Sequence, residues 1–126
     1  MKKTILVVDD DLVQKDLYVE VFKNKGYEVL SASDGLEGLE TALKEKPDLV
    51  FTAIIMPRMD GFEFIRNLRN NISTARTPVM MFSHLGREED RKKAEKLNHI
   101  TFLVKGVDSP AEILVKIAEL LDQPSE

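Results

Sequence analysis

Residues 49–61 read LVFTAIIMPRMDG, and this stretch decides the fold. Leu49-Val50-Phe51-Thr52 is a short apolar and β-branched run without alternation, which predicts a strand covered on both faces. Pro57 and the pair Asp60-Gly61 predict a loop. Gly61 to Asn71 then carries Phe62, Ile65 and Leu68 at helical spacing. A covered strand, a loop and an amphipathic helix make one unit of a parallel α/β sheet. In such sheets chemistry gathers just past the carboxyl ends of the strands. Ala53 occupies that place, and a methyl group has no chemistry to offer.

The same unit recurs on either side. Ile5 to Val8, Glu28 to Ala32, Val79 to Phe82 and Thr101 to Val104 read as further strands. Leu12 to Lys25 reads as a helix with one apolar face, Val13, Leu17 and Val21 at i, i+4 and i+8 with Tyr18 and Phe22 beside them, Asp11 as N-cap and Gly26 as its stop. A second helix follows Asp34-Gly-Leu-Glu37, a capping-box pattern, with Leu36, Leu39 and Leu43 inward and its end before Pro47. Asn70 to Thr77 reads as a polar loop and Glu88 to Leu97 as a charged fourth helix. Ser109-Pro110-Ala111-Glu112 opens a fifth helix that runs towards Pro124. The alternation predicts a five-stranded parallel sheet with helices on both faces and right-handed crossovers.

Bulk properties agree. A chain of 126 residues suits one domain and buries about two thirds of its unfolded surface. It is 43% hydrophobic and 32% charged, a globular composition with no sign of disorder. The net charge of −4 argues against broad affinity for nucleic acid or anionic membranes. The absence of cysteine excludes disulfides and thiolate metal sites and fits a cytoplasmic setting. Ile5 to Val8 is too short for a signal h-region, and no apolar run approaches the roughly 18 residues of a membrane span.

The strand ends bring chemistry to one edge: Asp9, Asp10 and Asp11 from the first, Ser83 and His84 from the fourth, Lys105 from the fifth. With ILVVDDD (5–11), PDLVFTAIIMPRMDGFEF (47–64), PVMMFS (78–83) and FLVK (102–105), the chain resembles a response regulator receiver domain over residues 3–121, with 122–126 as a short tail. The resemblance implies the flavodoxin-like doubly wound fold with strand order 2-1-3-4-5. That order is a worked instance of the doubly wound rule for such a domain, not a deduction from this chain.

The resemblance also implies roles. Asp9 and Asp10 match the acidic pair that holds Mg²⁺, and the backbone carbonyl of Ile55 matches a third ligand. Ser83 matches the hydroxyl that binds a phosphoryl oxygen, Lys105 the lysine that pairs with it, and Phe102 the aromatic residue whose rotamer follows Ser83. Ala53 matches the phospho-accepting aspartate, and that aspartate is missing. The residue types suit the chemistry: a carboxylate nucleophile, a hard cation with oxygen ligands, and a point charge for developing negative charge. Without an oxygen at position 53 no acyl phosphate forms there. The implied function is a phosphoryl switch module rather than an enzyme, fed by a histidine kinase or phosphotransfer protein. The face of the fourth helix, fifth strand and fifth helix is the implied contact for partners or dimers.

Alanine at position 53 fits either an engineered replacement of aspartate or a natural pseudo-receiver. Gly106 follows Lys105 where the family commonly has proline, which removes most support for a cis bond. His84 reads as an exposed loop histidine, with tuning of the site as the sharper alternative, and His99 reads as surface. Met56, Met80 and Met81 read as packing, and Arg87 to Lys96 as a solvated face with i,i+4 ion pairs. A haloacid-dehalogenase-type phosphatase using Asp9 and Asp11 is the enzymatic alternative. A flavodoxin is excluded by three aspartates where phosphate would sit. No output domain follows residue 121, so the chain reads as a stand-alone or an excised receiver.

Overall fold

The computed structural model describes residues 2–122; the expected tail beyond Asp122, including Pro124, lies outside them. Five strands, β1 (Thr4–Val8), β2 (Glu28–Ala32), β3 (Leu49–Ala53), β4 (Val79–Ser83) and β5 (Ile100–Val104), form one parallel sheet in the order β2-β1-β3-β4-β5. Helices α1 (Leu12–Asn24), α2 (Gly35–Glu45), α3 (Gly61–Arg69), α4 (Glu88–Glu95) and α5 (Pro110–Leu121) connect and cover them. The expected polar loop contains a short 3₁₀ turn, Ile72–Thr74, whose Thr74 hydroxyl donates to the Leu68 carbonyl at 2.6 Å.

Period-two alternation of strand side chains splits the core into two layers. Ile5, Val7, Leu49, Phe51, Met80 and Phe82 face α1 and α5. Leu6, Val8, Val50, Val79 and Met81 face α2, α3 and α4. β3 is buried at all five positions, as its unbroken apolar run requires. Met56, Met80 and Met81 are buried, as expected of packing residues.

Caps fix where the helices start. Asp11, Asp34, Asp60 and Ser109 each accept the backbone N–H three residues on, and Ser109–Glu112 closes a full capping box behind Pro110. At α2 the Glu37 carboxylate reaches Ser33 N, one residue earlier than a capping box would place it.

Packing selects within the expected apolar faces. In α1 Tyr18 and Phe22 are buried with Gln14, while Val13 is 80% exposed and Leu17 48%. Both rows have helical period, but the aromatic row has the volume the sheet needs. Tyr18 and Phe22 pack on Phe51 at ring distances of 4.8 and 5.3 Å. In α2 the innermost residues are Gly35, Gly38 and Ala42, with the leucines half-buried beside them. The helix lies so close to the sheet that a Cβ on Gly38 would come within 3.0 Å of both Val8 methyls.

Candidate functional site

The carboxyl ends of β1, β3 and β4 open on a cavity of about 280 Å³, lined among others by Asp9, Asp10, Ala53, Ser83, His84 and Asp90. Register explains the convergence. Val8 pairs with Thr52 and Ala53 with Phe82, so the residues that follow these strands leave the sheet side by side.

Asp9 is 4% exposed, and its Oδ1 accepts from the Asp11 amide at 2.9 Å. Burial raises its pKa; the Asp11 amide and His84 oppose this, while the Asp10 and Asp11 charges add to it. Asp10 is exposed at the rim. The Asp11 carboxylate is taken up as the α1 cap, accepting from Gln14 N at 3.1 Å.

Ala53 is 4% exposed and adds only a methyl group to the cavity. The loop after it is tightly held. A Cβ on Gly61 would collide with the Ala53 carbonyl, and Gly61 N donates to Ile54 O at 2.7 Å. Arg58, at φ 66°, clamps the loop to α2 through Nε and Nη2 on Asp34 Oδ2 at 2.8 and 2.7 Å. The Glu37 amide, then the Arg58 guanidinium, hold the Asp34 carboxyl below its ordinary pKa. Ile55, between these anchors, lines the cavity.

Ser83 is 3% exposed. Its Oγ accepts from Gly86 N at 2.8 Å, which leaves the hydroxyl proton free to donate. His84 is exposed, as expected, yet lines the cavity and lies edge-on to Phe82 at 5.9 Å. His99 is exposed. Phe102 is half-buried under the Arg91 guanidinium, 4.8 Å from its centroid.

Lys105 departs from the expected convergence. Its amide donates to Ser83 O at 2.9 Å, but the residue is exposed and lines the neighbouring groove between α1 and α5 rather than the cavity. It has no ion-pair partner among the described residues. With a methyl at position 53, no carboxylate there draws the ammonium inward. The described chain holds no cis peptide, so Lys105–Gly106 is trans, and Gly106 takes φ +85°.

Asp90 was not foreseen as a site residue. It is 4% exposed, lines the cavity, and bonds Arg87 Nε at 3.1 Å. Its spacing to Ala94, the other buried residue of α4, is the signal that separates it from the solvated face. The ion pairs there are Arg87–Asp90 and Arg87–Glu89, not the expected i,i+4 set.

The donors suit a hard cation in kind: two carboxylates and a loop that can present a carbonyl, all oxygen. They are few in number. No group of three or more ligating side chains converges among the described residues.

The profile of the response regulator receiver domain matches residues 5–118. The chain belongs to this receiver family. The receiver is 32% identical to Protein PilH of Pseudomonas aeruginosa over 112 residues, covering 89% of this chain and 91% of that one. It is 31% identical to sporulation initiation phosphotransferase F of Bacillus subtilis over 108 residues, 86% of each. It is 33% identical to the DNA-binding dual master transcriptional regulator RpaA of Synechocystis over 93% of its own length, and spans only 48% of that relative. The chemotaxis response regulator CheY4 of Vibrio cholerae superposes with a TM-score of 0.87 at 28% identity, over 96% of this chain and 100% of that one. Receivers are modules of two-component and phosphorelay signalling. No helix among the described residues is long and apolar enough to cross a membrane.

Proposed function

We propose that this receiver is a phosphorelay module whose phospho-acceptor position is vacated by alanine, so that it works as a binding partner locked in the unphosphorylated state. One observation carries the reading. The side chain at the end of β3, in the cavity between Asp9 and Ser83, is the Ala53 methyl. Phosphoryl transfer to a receiver needs a carboxylate oxygen there to attack phosphorus, and a methyl cannot attack.

The remaining residues keep assignable tasks. Receivers generally bind Mg²⁺ at this acidic site, and Asp9, Asp10 and the Ile55 carbonyl are the groups that would hold it here. Bound, the cation neutralises charge on phosphoryl oxygens. Loss of one carboxylate at position 53 weakens that binding. In an aspartate-bearing form, Ser83 donates its free proton to a phosphoryl oxygen, and Lys105 swings from the groove to pair with the anion. Phe102, beneath Arg91, adjusts to the Ser83 loop. A histidine kinase or phosphotransfer protein is the partner class, and the α4–β5–α5 face is the surface assigned to contacts. The setting is cytoplasmic.

The test is intact mass after incubation with acetyl phosphate and Mg²⁺, on this chain and on Ala53→Asp. Only the aspartate variant should gain a phosphoryl group. A gain by the present chain refutes the reading of position 53. No gain by either refutes the claim that the rest of the site is competent.

A further inference from the structure

A second cavity, of about 360 Å³, lies between α1 and the β5–α5 loop on the far side of Phe82. Its polar groups are unusual for their lack of partners. Gln14 is 6% exposed and Tyr18 3% exposed. Neither the Gln14 carboxamide nor the Tyr18 hydroxyl bonds to another described residue; the only Gln14 hydrogen bond of side-chain type is its backbone N–H to Asp11. No fully occluded side-chain polar atom in the described chain lacks a partner, so both tips reach solvent, on residues that line the groove. Water meets them there, and a ligand that enters the groove must replace those hydrogen bonds.

Charge selects that ligand. Lys105, an exposed residue, lines the same groove and its side chain forms no ion pair with an acidic group among the described residues. Asp108 also lines it, but its oxygens are taken by Val104 N at 2.8 Å and Lys116 Nζ at 3.0 Å. The Ser109 Oγ accepts from Glu112 N, which leaves its proton as a further donor. Burial, with the Asp108 charge, raises the Tyr18 pKa, so the phenol stays a neutral donor. The groups left free are thus a cation and three donors. Phe82, Leu17 and Val107 supply an apolar wall. The volume is at the small end of ligand sites, which span roughly 300–1,000 Å³.

We propose that the α1–α5 groove binds a small organic carboxylate, with Lys105 and Gln14 on the carboxylate and Phe82 and Leu17 against its apolar body. The proposal does not depend on phosphoryl chemistry at position 53. It uses Lys105 as the present chain holds it.

Benzoate is the probe and benzamide its neutral counterpart. Nitrogen-15 labelled full chain is titrated with each, following the Gln14 side-chain amide signals and the backbone amides of Phe82 and Val107, which serve for the Gln14→Glu variant as well. Benzoate should shift them saturably with a millimolar Kd, and benzamide should bind at least about tenfold more weakly. Lys105→Met should weaken benzoate by about tenfold while keeping a dispersed spectrum. Gln14→Glu, which places a like charge in the groove, should do the same, and covers the case of a misfolded Lys105→Met. Absence of saturation, equal binding of benzamide, or benzoate affinity unchanged in the folded variants would each overturn the proposal.

Discussion

Placing aspartate at position 53 should destabilise the metal-free protein. The position is 4% exposed and sits at the strand end beside Asp9, itself 4% exposed. Val8 and Thr52 are in register, so Asp9 and residue 53 follow on neighbouring strands, whose spacing is about 4.8 Å. Two carboxylates about 4 Å apart at an effective dielectric of about 20 repel by roughly 4 kcal/mol. Rotation of the exposed Asp10 and movement of the unpaired Lys105 towards the new carboxylate recover part of this. The expected net loss in Ala53→Asp is about 1–3 kcal/mol in chelator. Mg²⁺ binds the folded state and should partly restore the loss, with a larger gain for the variant than for the present chain. Urea unfolding of both proteins, in chelator and in Mg²⁺, measures all four values. Equal stability in chelator would refute the claim that carboxylates crowd this cavity. An equal Mg²⁺ gain would refute the claim that position 53 contributes to cation binding.

Three further outcomes follow from other contacts. Gly61→Ala places a Cβ against the Ala53 carbonyl and must shift the loop; a loss of about 2 kcal/mol or more in urea unfolding is expected. The Arg69 guanidinium donates to Asn98 O at 2.9 and 3.1 Å and to Thr74 O at 3.0 Å, tying α3 to the chain before β5. Arg69→Met should cost about 2–4 kcal/mol and speed amide exchange at the start of β5, whereas unchanged exchange there would sink this role. For Asp108, burial raises the pKa, but the Val104 amide, Lys116 and Arg91 outweigh it and leave the pKa lowered. A lowered folded pKa gives stability that is present above the unfolded value near 3.9 and lost as pH falls through the folded value. Asp108→Asn should therefore lower stability at neutral pH and flatten its acid decline, and an unchanged pH profile would contradict this.

Much of the fold was legible because its signals are local. Strand type followed from short apolar runs, and helix starts from Asp11, Asp34 and Ser109, each of which caps as its spacing requires. The site was legible in part, since residues at strand ends must gather at one edge of a parallel sheet. That residue 53 is an alanine at a strand end was legible from composition and register with the apolar run before it.

What tertiary structure decided was direction. The sequence of α1 offers two apolar rows 100° apart, and only the space above Phe51 and Phe82 selects Tyr18 and Phe22 over Val13 and Leu17. In α2 the close approach to Val8 selects glycines over leucines. Asp90 turns from a charged helix face into the cavity, since burial is a property of the packed helix and not of residue type. Lys105 goes the other way: it follows the fifth strand as expected, yet the residue lines the groove beside α1 and not the cavity at the strand ends. Period and propensity are written along the chain, whereas the face a helix buries and the partner a charge finds depend on atoms that are distant in sequence.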